Sequence, residues 1–255
     1  MLSTHQKQSK LKKSFYQPKS VWDLVREKLP VSISLGLWTF LLSYLISVPL
    51  GIAKAVRAGT RFDTLSSLVV LVGYAIPGFV LGVALLVIFG GQLQWFPLRG
   101  LTSSEWDQMG WGARIVDYLW HITLPVTASV LGAFAVTTML TKNAFLEEIR
   151  KQYVVTARAK GLSEVTVLFR HVLRNALIPI LTGVVVLLPL LFTGSLLTES
   201  FFAIPGLGSY TIDAINQQDF AIVRSMVFLG SVLYMLGLLL TDIAYTLVVP
   251  RVHLQ

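Results

Sequence analysis

The chain has 255 residues, 54% of them hydrophobic and only 13% charged, and its mean hydropathy of +0.69 excludes an ordinary soluble domain in favour of a polytopic membrane protein. A formal net charge of +8 raises nucleic acid as a partner, but the Lys and Arg are spread between apolar runs with no basic stripe interleaved with exposed aromatics, which excludes it. The absence of cysteine excludes a disulfide framework, a thiolate metal site and a thiol nucleophile.

Residues 1–30 form a basic tail, and no apolar core begins before Val31, so a cleavable signal peptide is not expected. Within the tail, Val21, Trp22, Leu24, Val25 and Leu29 recur at helical spacing. That pattern fits a short interfacial helix among headgroups, or equally the plain helical lead-in to a first span. Runs of about 20 mainly apolar residues can cross the hydrocarbon core as helices. Here they fall at Val31 to Ala53, Leu65 to Gly90, Leu119 to Thr141, Leu177 to Leu197 and Val223 to Val249. The reading is therefore all-α, with five spans.

Tyr74-Ala75-Ile76-Pro77-Gly78 interrupts the second run. A proline removes one helical hydrogen bond and clashes with the preceding turn, so a kink is expected near Pro77. Tyr74, Pro77 and Gly78 then serve either packing or the lining of a wet pathway, where freed backbone groups are tolerated. Trp95, Trp106, Trp111, Tyr118 and Trp120 follow as an aromatic belt at one membrane face, with Glu105, Asp107 and Asp117 set against Arg99 and Arg114.

Lys54, Arg57 and Arg61 fill the turn after the first run, and Lys142, Arg150, Lys151, Arg158, Lys160, Arg170 and Arg174 follow the third. The positive-inside rule places both loops in the cytoplasm, and the tryptophan loop and the stretch from Ser200 to Ile222 outside. Five spans would then leave the basic tail on the outer side, against the same rule. An additional spanning helix upstream of Met1 would remove that conflict. Glu147 and Glu148 are expected at the cytoplasmic end of the third span, and Glu199 at a span end within reach of water.

The segment from Gln152 to Arg174 reads as two short helices joined at Gly161, which permits a turn with positive φ. Ala157 and Ala159 leave room for another surface to approach, while Arg158, Lys160, Glu164 and Arg170 offer polar contacts. The same charges also suit a solvated amphipathic loop. No Gly-x-x-x-x-Gly-Lys-Ser/Thr phrase exists, so any ATPase must come from outside the chain. His5, His121, His171 and His253 are scattered, and no His-Glu-x-x-His is present. Neither an enzyme nor a metal or cofactor site in this chain is expected. Asp242 is the one candidate for a proton-coupled carrier, with a role as acceptor for Tyr245 or a backbone group as the structural alternative.

Val155-Thr156-Ala157 followed by Gly161 resembles the EAA loop of membrane subunits in bacterial binding-protein-dependent ABC importers, with Val155 and Thr156 in place of the usual Glu-Ala. Thr156 to Gly161 and Arg170-His171-Val172-Leu173-Arg174-Asn175-Ala176 are similar to the dipeptide and oligopeptide permease branch. Further matches are Thr193-Gly194-Ser195-Leu196-Leu197, Glu199, Pro205-Gly206-Leu207-Gly208, Asp219, Asp242, Tyr245 and Pro250-Arg251, with Val249 where the family usually has Asp. Leu29-Pro30-Val31-Ser32 and Gly73 to Pro77 fit too. Asp117 to Pro125 and Leu140-Thr141-Lys142-Asn143 resemble the YejB-type peptide permeases.

The resemblance implies a type I ABC-importer transmembrane domain over residues 31–249, a C-terminal tail over 250–255, and a place in the bacterial inner membrane. It implies oligopeptide cargo, extending to peptide-nucleotides of the microcin C class. The implied partners are a second homologous permease subunit, a cytoplasmic ABC ATPase that binds the ATP, a periplasmic peptide-binding protein and the lipid bilayer. The implied ATPase-coupling residues are Val155, Thr156, Ala157, Arg158, Ala159, Lys160, Gly161, Glu164 and Arg170. The family's first transmembrane helix and the periplasmic segment after it have no counterpart here. A shortened copy that scaffolds or inhibits an intact permease is therefore the alternative expectation.

Overall fold

The computed structural model describes the backbone of residues 20–193 and 195–248, and within it every side chain but those of 182, 185–193, 241 and 244–248. The tail before Ser20, Gly194, Val249, the segment 250–255 and the side chain of Tyr245 lie outside the described residues.

Helix α1, Val21–Val56, begins with a side-chain cap. Ser20 Oγ accepts from Asp23 N at 3.2 Å and donates to Asp23 Oδ2 at 2.6 Å. One orphan amide of the first turn is thereby satisfied, and the carboxylate complements the helix dipole. The helix is continuous from Val21 through Leu29 into the first apolar run. Val21, Leu24 and Val25 pack with Leu207, Ala214 and Ile222, while Trp22 stays exposed. At 36 residues, α1 is roughly 54 Å long, well beyond a hydrocarbon core of about 30 Å.

Helix α2, Arg61–Ala75, is capped by Thr60, whose hydroxyl accepts from Asp63 N. Ile76 is extended (φ −89°, ψ 118°), the conformation a following proline favours. Helix α3, Gly78–Leu85, then continues into a π-helical segment, Leu86–Gln92, and Ile76 and Pro77 lie outside both helices. The expected kink is thus a full break.

Helix α4, Trp111–Ile149, carries Pro125 and ends in Glu147 and Glu148, as expected of the third span. Its start fastens the tryptophan loop: Arg114 lies over Trp106 and Trp111 and donates to the carbonyls of Trp106, Asp107 and Met109, while Asp117 accepts from the Ser103 amide and hydroxyl. Trp120 Nε1 donates to Trp95 O at 2.8 Å.

After α4 come α5 (Gln152–Ala159), α6 (Glu164–Thr166), a π-helical segment (Val167–Val172) and α7 (Leu173–Thr193). Helices α8 (Leu196–Phe201), α9 (Leu207–Asn216) and α10 (Phe220–Val248) complete the described chain. Among the described residues, Val21–Val56, Trp111–Ile149 and Phe220–Leu240 are long and apolar enough to cross a membrane, and the broken pair Arg61–Ala75 and Gly78–Gln92 makes a fourth when counted as one span. The run expected from Leu177 is helical through Thr193.

The chain divides into two compact units: the described residues of Met1–Thr39, Gly78–Ser129 and Leu188–Met235, and those of Phe40–Pro77, Val130–Leu187 and Leu236–Gln255. In the second unit Ser43, Ser47, Gly51 and Ala55 form a buried stripe at four-residue spacing on α1. Small residues at that spacing let helix backbones approach closely. Ser47 Oγ donates to Phe134 O on α4, and a Cβ added at Gly51 would come within 2.6 Å of Thr141 Cβ and 2.8 Å of Thr138 O.

Gly51→Leu should therefore cost about 1–3 kcal/mol through overpacking, read as a lower melting temperature of the purified protein in detergent. Gly73→Ala, whose added Cβ meets nothing within 4 Å, should leave it unchanged. Equal melting of the two variants would count against the close approach of α1 and α4.

Candidate functional site

The charged island is built on a short helix with two different faces. In α5, Val154 and Ala157 are buried in a core with Ala55, Ala144, Phe145, Val167, Val172 and Ala176. Val155, Thr156, Arg158, Ala159 and Lys160 are exposed. The room expected at Ala157 is therefore filled by the chain's own core, while that at Ala159 stays open. Apolar positions three apart on eight residues suffice to fix which face points inward.

The helix ends in a Schellman turn. Gly161 N donates to Arg158 O at 2.9 Å and Leu162 N to Ala157 O at 3.4 Å, with Gly161 at φ +78°. Only glycine adopts that conformation without strain, so the expected positive φ holds. A Cβ at Gly161 would meet nothing within 4 Å in this chain. Across the turn, Arg158 donates to Glu164 through Nε (3.0 Å) and Nη2 (2.6 Å), a bidentate pair that holds the two arms at a fixed angle. The Arg158 hydrogen bond keeps the Glu164 carboxyl below the usual carboxylate range. Because that pKa is lowered, the pair persists at neutral pH and opens only as pH falls through it. Its side chains are 40% and 55% exposed, so its effect is on geometry rather than stability.

Ser163 caps the second arm by accepting from Thr166 N. That arm differs from the expected short helix: α6, the π-helical segment and α7 follow one another without a gap, so it runs directly into the next long helix. Arg170 lies exposed in the π-helical segment. Tyr74, Pro77 and Gly78 sit together at the α2–α3 break, away in sequence from the island.

Two buried carboxylate sites escaped sequence reasoning. Lys54, counted above among loop cations, is fully buried in the last turn of α1. It donates to Asp63 O (3.0 Å), Ser66 Oγ (2.8 Å) and Ser67 Oγ (2.8 Å) and pairs with Asp63 Oδ1 at 3.2 Å. Lys142 on α4 closes on the same carboxylate at 2.6 and 2.8 Å. An ammonium survives burial only when so paired.

Glu199, expected to reach water, is also fully buried. It accepts from Ser32 Oγ (2.8 Å), Gly208 N (2.7 Å) and Ser209 N (3.1 Å), at the N-terminus of α9. Burial pushes its carboxyl above the ordinary glutamate value, and these hydrogen bonds pull against that rise. The signal in the sequence is the Pro205-Gly206-Leu207-Gly208 phrase, because a Cβ at Gly206 would lie 2.3 Å from Glu199 Oε2.

Residues 47–254 match the family model described as the binding-protein-dependent transport system inner membrane component. The chain belongs to this family. It is therefore an inner-membrane permease component of a binding-protein-dependent importer, a family that works with a binding protein and an ATPase. The permease is 48% identical over 245 residues to the peptidoglycan transport system permease protein YejB of Agrobacterium fabrum, covering 95% of this chain and 67% of the relative. The inner membrane ABC transporter permease protein YejB of Escherichia coli O157:H7 matches with the same figures. The dipeptide transport system permease protein DppB of Bacillus subtilis is 33% identical, covering 92% of this chain and 72% of the relative. The permease thus spans about two thirds of the length of its YejB relatives.

Its fold is that of type I ABC importers, all-α and polytopic. An inward-facing MetNI methionine ABC transporter superposes with a TM-score of 0.69 at 18% identity, covering 89% of this chain and 97% of that one. Family membership favours an external ATPase over the proton-coupled carrier suggested by Asp242.

Proposed function

We propose that this permease carries oligopeptides inward across the inner membrane. In this reading it pairs with a second homologous subunit, receives cargo from a periplasmic peptide-binding protein, and is driven by a cytoplasmic ABC ATPase docked on residues Gln152 to Arg170. It acts as a transport component and not as an enzyme, and ATP is bound by the partner. The observation that carries the reading is the two-faced α5 helix, with Val154 and Ala157 locked into the core and Val155, Thr156, Arg158, Ala159 and Lys160 outward. An eight-residue helix, about 12 Å long, held on one side and free on the other, suits a lever. Closure of the ATPase pair then displaces the helix as a body and shifts the spans between two states.

Peptide names recur among the relatives, including the oligopeptide permease AppB and dipeptide permease DppB of Bacillus subtilis. The peptidoglycan name of the Agrobacterium relative favours a second cargo, peptide-bearing cell-wall fragments. Uptake of a labelled tripeptide into cells lacking their own peptide permeases, with the partner subunits co-expressed, tests the proposal. Competition by muropeptides separates the two cargoes. Uptake that persists with a hydrolysis-dead ATPase would overturn ATP-driven transport.

The same reading fixes the sidedness of the loops. Single cysteines at Asp107 and Arg158, both exposed positions of a cysteine-free chain, should differ toward a membrane-impermeant thiol reagent. In intact cells the reagent should reach position 107, and it should reach position 158 only after permeabilisation. The reverse pattern would invert the orientation.

A further inference from the structure

We propose that Tyr153 is a positioning residue for energy coupling: its hydroxyl is the polar joint that sets the angle of α5 against the two long helices on either side. This rests on the coupling reading above. Tyr153 Oη donates to Glu148 Oε2 at 2.6 Å and accepts from Asn175 Nδ2 at 3.0 Å. Glu148 belongs to the end of α4, Asn175 to the first turn of α7, and Tyr153 to the first turn of α5. One hydroxyl therefore ties three elements.

The surroundings reinforce that joint. Glu148 is also paired with Lys151, the residue just before α5, and Lys151 reaches Glu147 at 3.6 Å. His171 O, at the end of the π-helical segment, lies 3.4 Å from both Tyr153 Oη and Asn175 Nδ2, two long and weak contacts. Tyr153, like Leu146, Ile149 and Leu173, packs against the buried core that holds Val154 and Ala157.

The apolar core and the hydroxyl have different consequences. Burial of Val154 and Ala157 keeps α5 attached, but apolar contact is non-directional and tolerates a small rotation. Hydrogen bonds prefer a narrow range of distance and angle, and those involving a charged carboxylate are stronger. Without the hydroxyl, α5 would stay docked on the core and present its outer face over a wider range of angles. Part of each ATPase stroke would then turn the helix instead of moving α4 and α7, so more ATP is spent for each cargo molecule.

The test uses the full transporter reconstituted in liposomes, with Tyr153→Phe, which keeps the ring in the core. Spin labels on cysteines at Ala159 and Val136, both exposed, report the angle between α5 and α4. The distance distribution should be narrow in the parent protein and broadened in the Phe variant. ATP hydrolysed per labelled tripeptide imported should rise about fivefold, the scale of one lost hydrogen bond, with ATPase association unchanged. Glu148→Gln retains an acceptor for the hydroxyl and should keep the narrow distribution, whereas Glu148→Leu should broaden it. An unchanged distribution or an unchanged ratio in Tyr153→Phe overturns the proposal, as does a proportional fall in hydrolysis and uptake. Failure of the coupling reading would look different: no association of the ATPase with the parent protein, whatever the spin labels show.

Discussion

Replacing Gly161 by valine should abolish ATP-driven uptake while leaving the permease in the membrane at near-normal amount. Gly161 sits at φ +78°, where a β-branched residue is strained by about 1–3 kcal/mol. Relief of that strain requires the turn to change shape. The Arg158–Glu164 pair spans the same turn, so its two arms would no longer meet at the angle they now hold. Because an added Cβ meets no atom of the chain within 4 Å, folding of the rest should be spared. Gly161→Asn separates two causes, since asparagine tolerates the left-handed region. Uptake retained by the Asn variant and lost by the Val variant would trace the defect to φ. Loss in both would trace it to close approach of the ATPase, and normal uptake by the Val variant would remove Gly161 from the coupling site.

The second large effect is expected at Asp63. Asp63→Leu would leave Lys54, fully buried, without its counter-charge and would also release Lys142, whose side chain is 15% exposed. Breaking a buried pair from one side costs about 3–5 kcal/mol, and partial exposure of Lys142 lets water offset part of its share. The variant should show a strongly reduced yield of folded permease in detergent. Lys54→Met combined with Asp63→Leu and Lys142→Met removes every charge together and should recover most of that yield. A single Asp63→Leu variant that purifies and melts like the parent would show that the network carries no stability.

These two sites also mark the boundary between local and distant information. Gly161 and Pro77 were legible because each dictates the backbone at its own position. A glycine in mid-course of a helix-forming basic stretch invites a positive φ, and Pro77 forces Ile76 out of the helical region. The apolar runs were legible for the same reason, since a bilayer demands about 20 apolar residues wherever a helix crosses it. Their ends were not: α1 starts at Val21 and α4 continues to Ile149, because helical propensity and side-chain caps carry a helix beyond the hydrocarbon.

What the sequence by itself determined is the class of protein, the position of the apolar helices, an interruption at Pro77, the turn at Gly161 and the family, all of which depend on residues close together in the chain. What only the tertiary structure decided is which charges are buried and which face of each helix is covered. Asp63 and Lys142 stand 79 positions apart, and Ser32 and Glu199 stand 167 apart. Lys54 and Glu199 have the composition of surface residues, and only the folding of α2 back onto α1, and of α9 and Ser32 onto α8, supplies the partners that make their burial tolerable. Helix α5 shows both kinds of information at once: the spacing of its residues defines two faces, and the surrounding core selects the face of Val154 and Ala157 to be hidden.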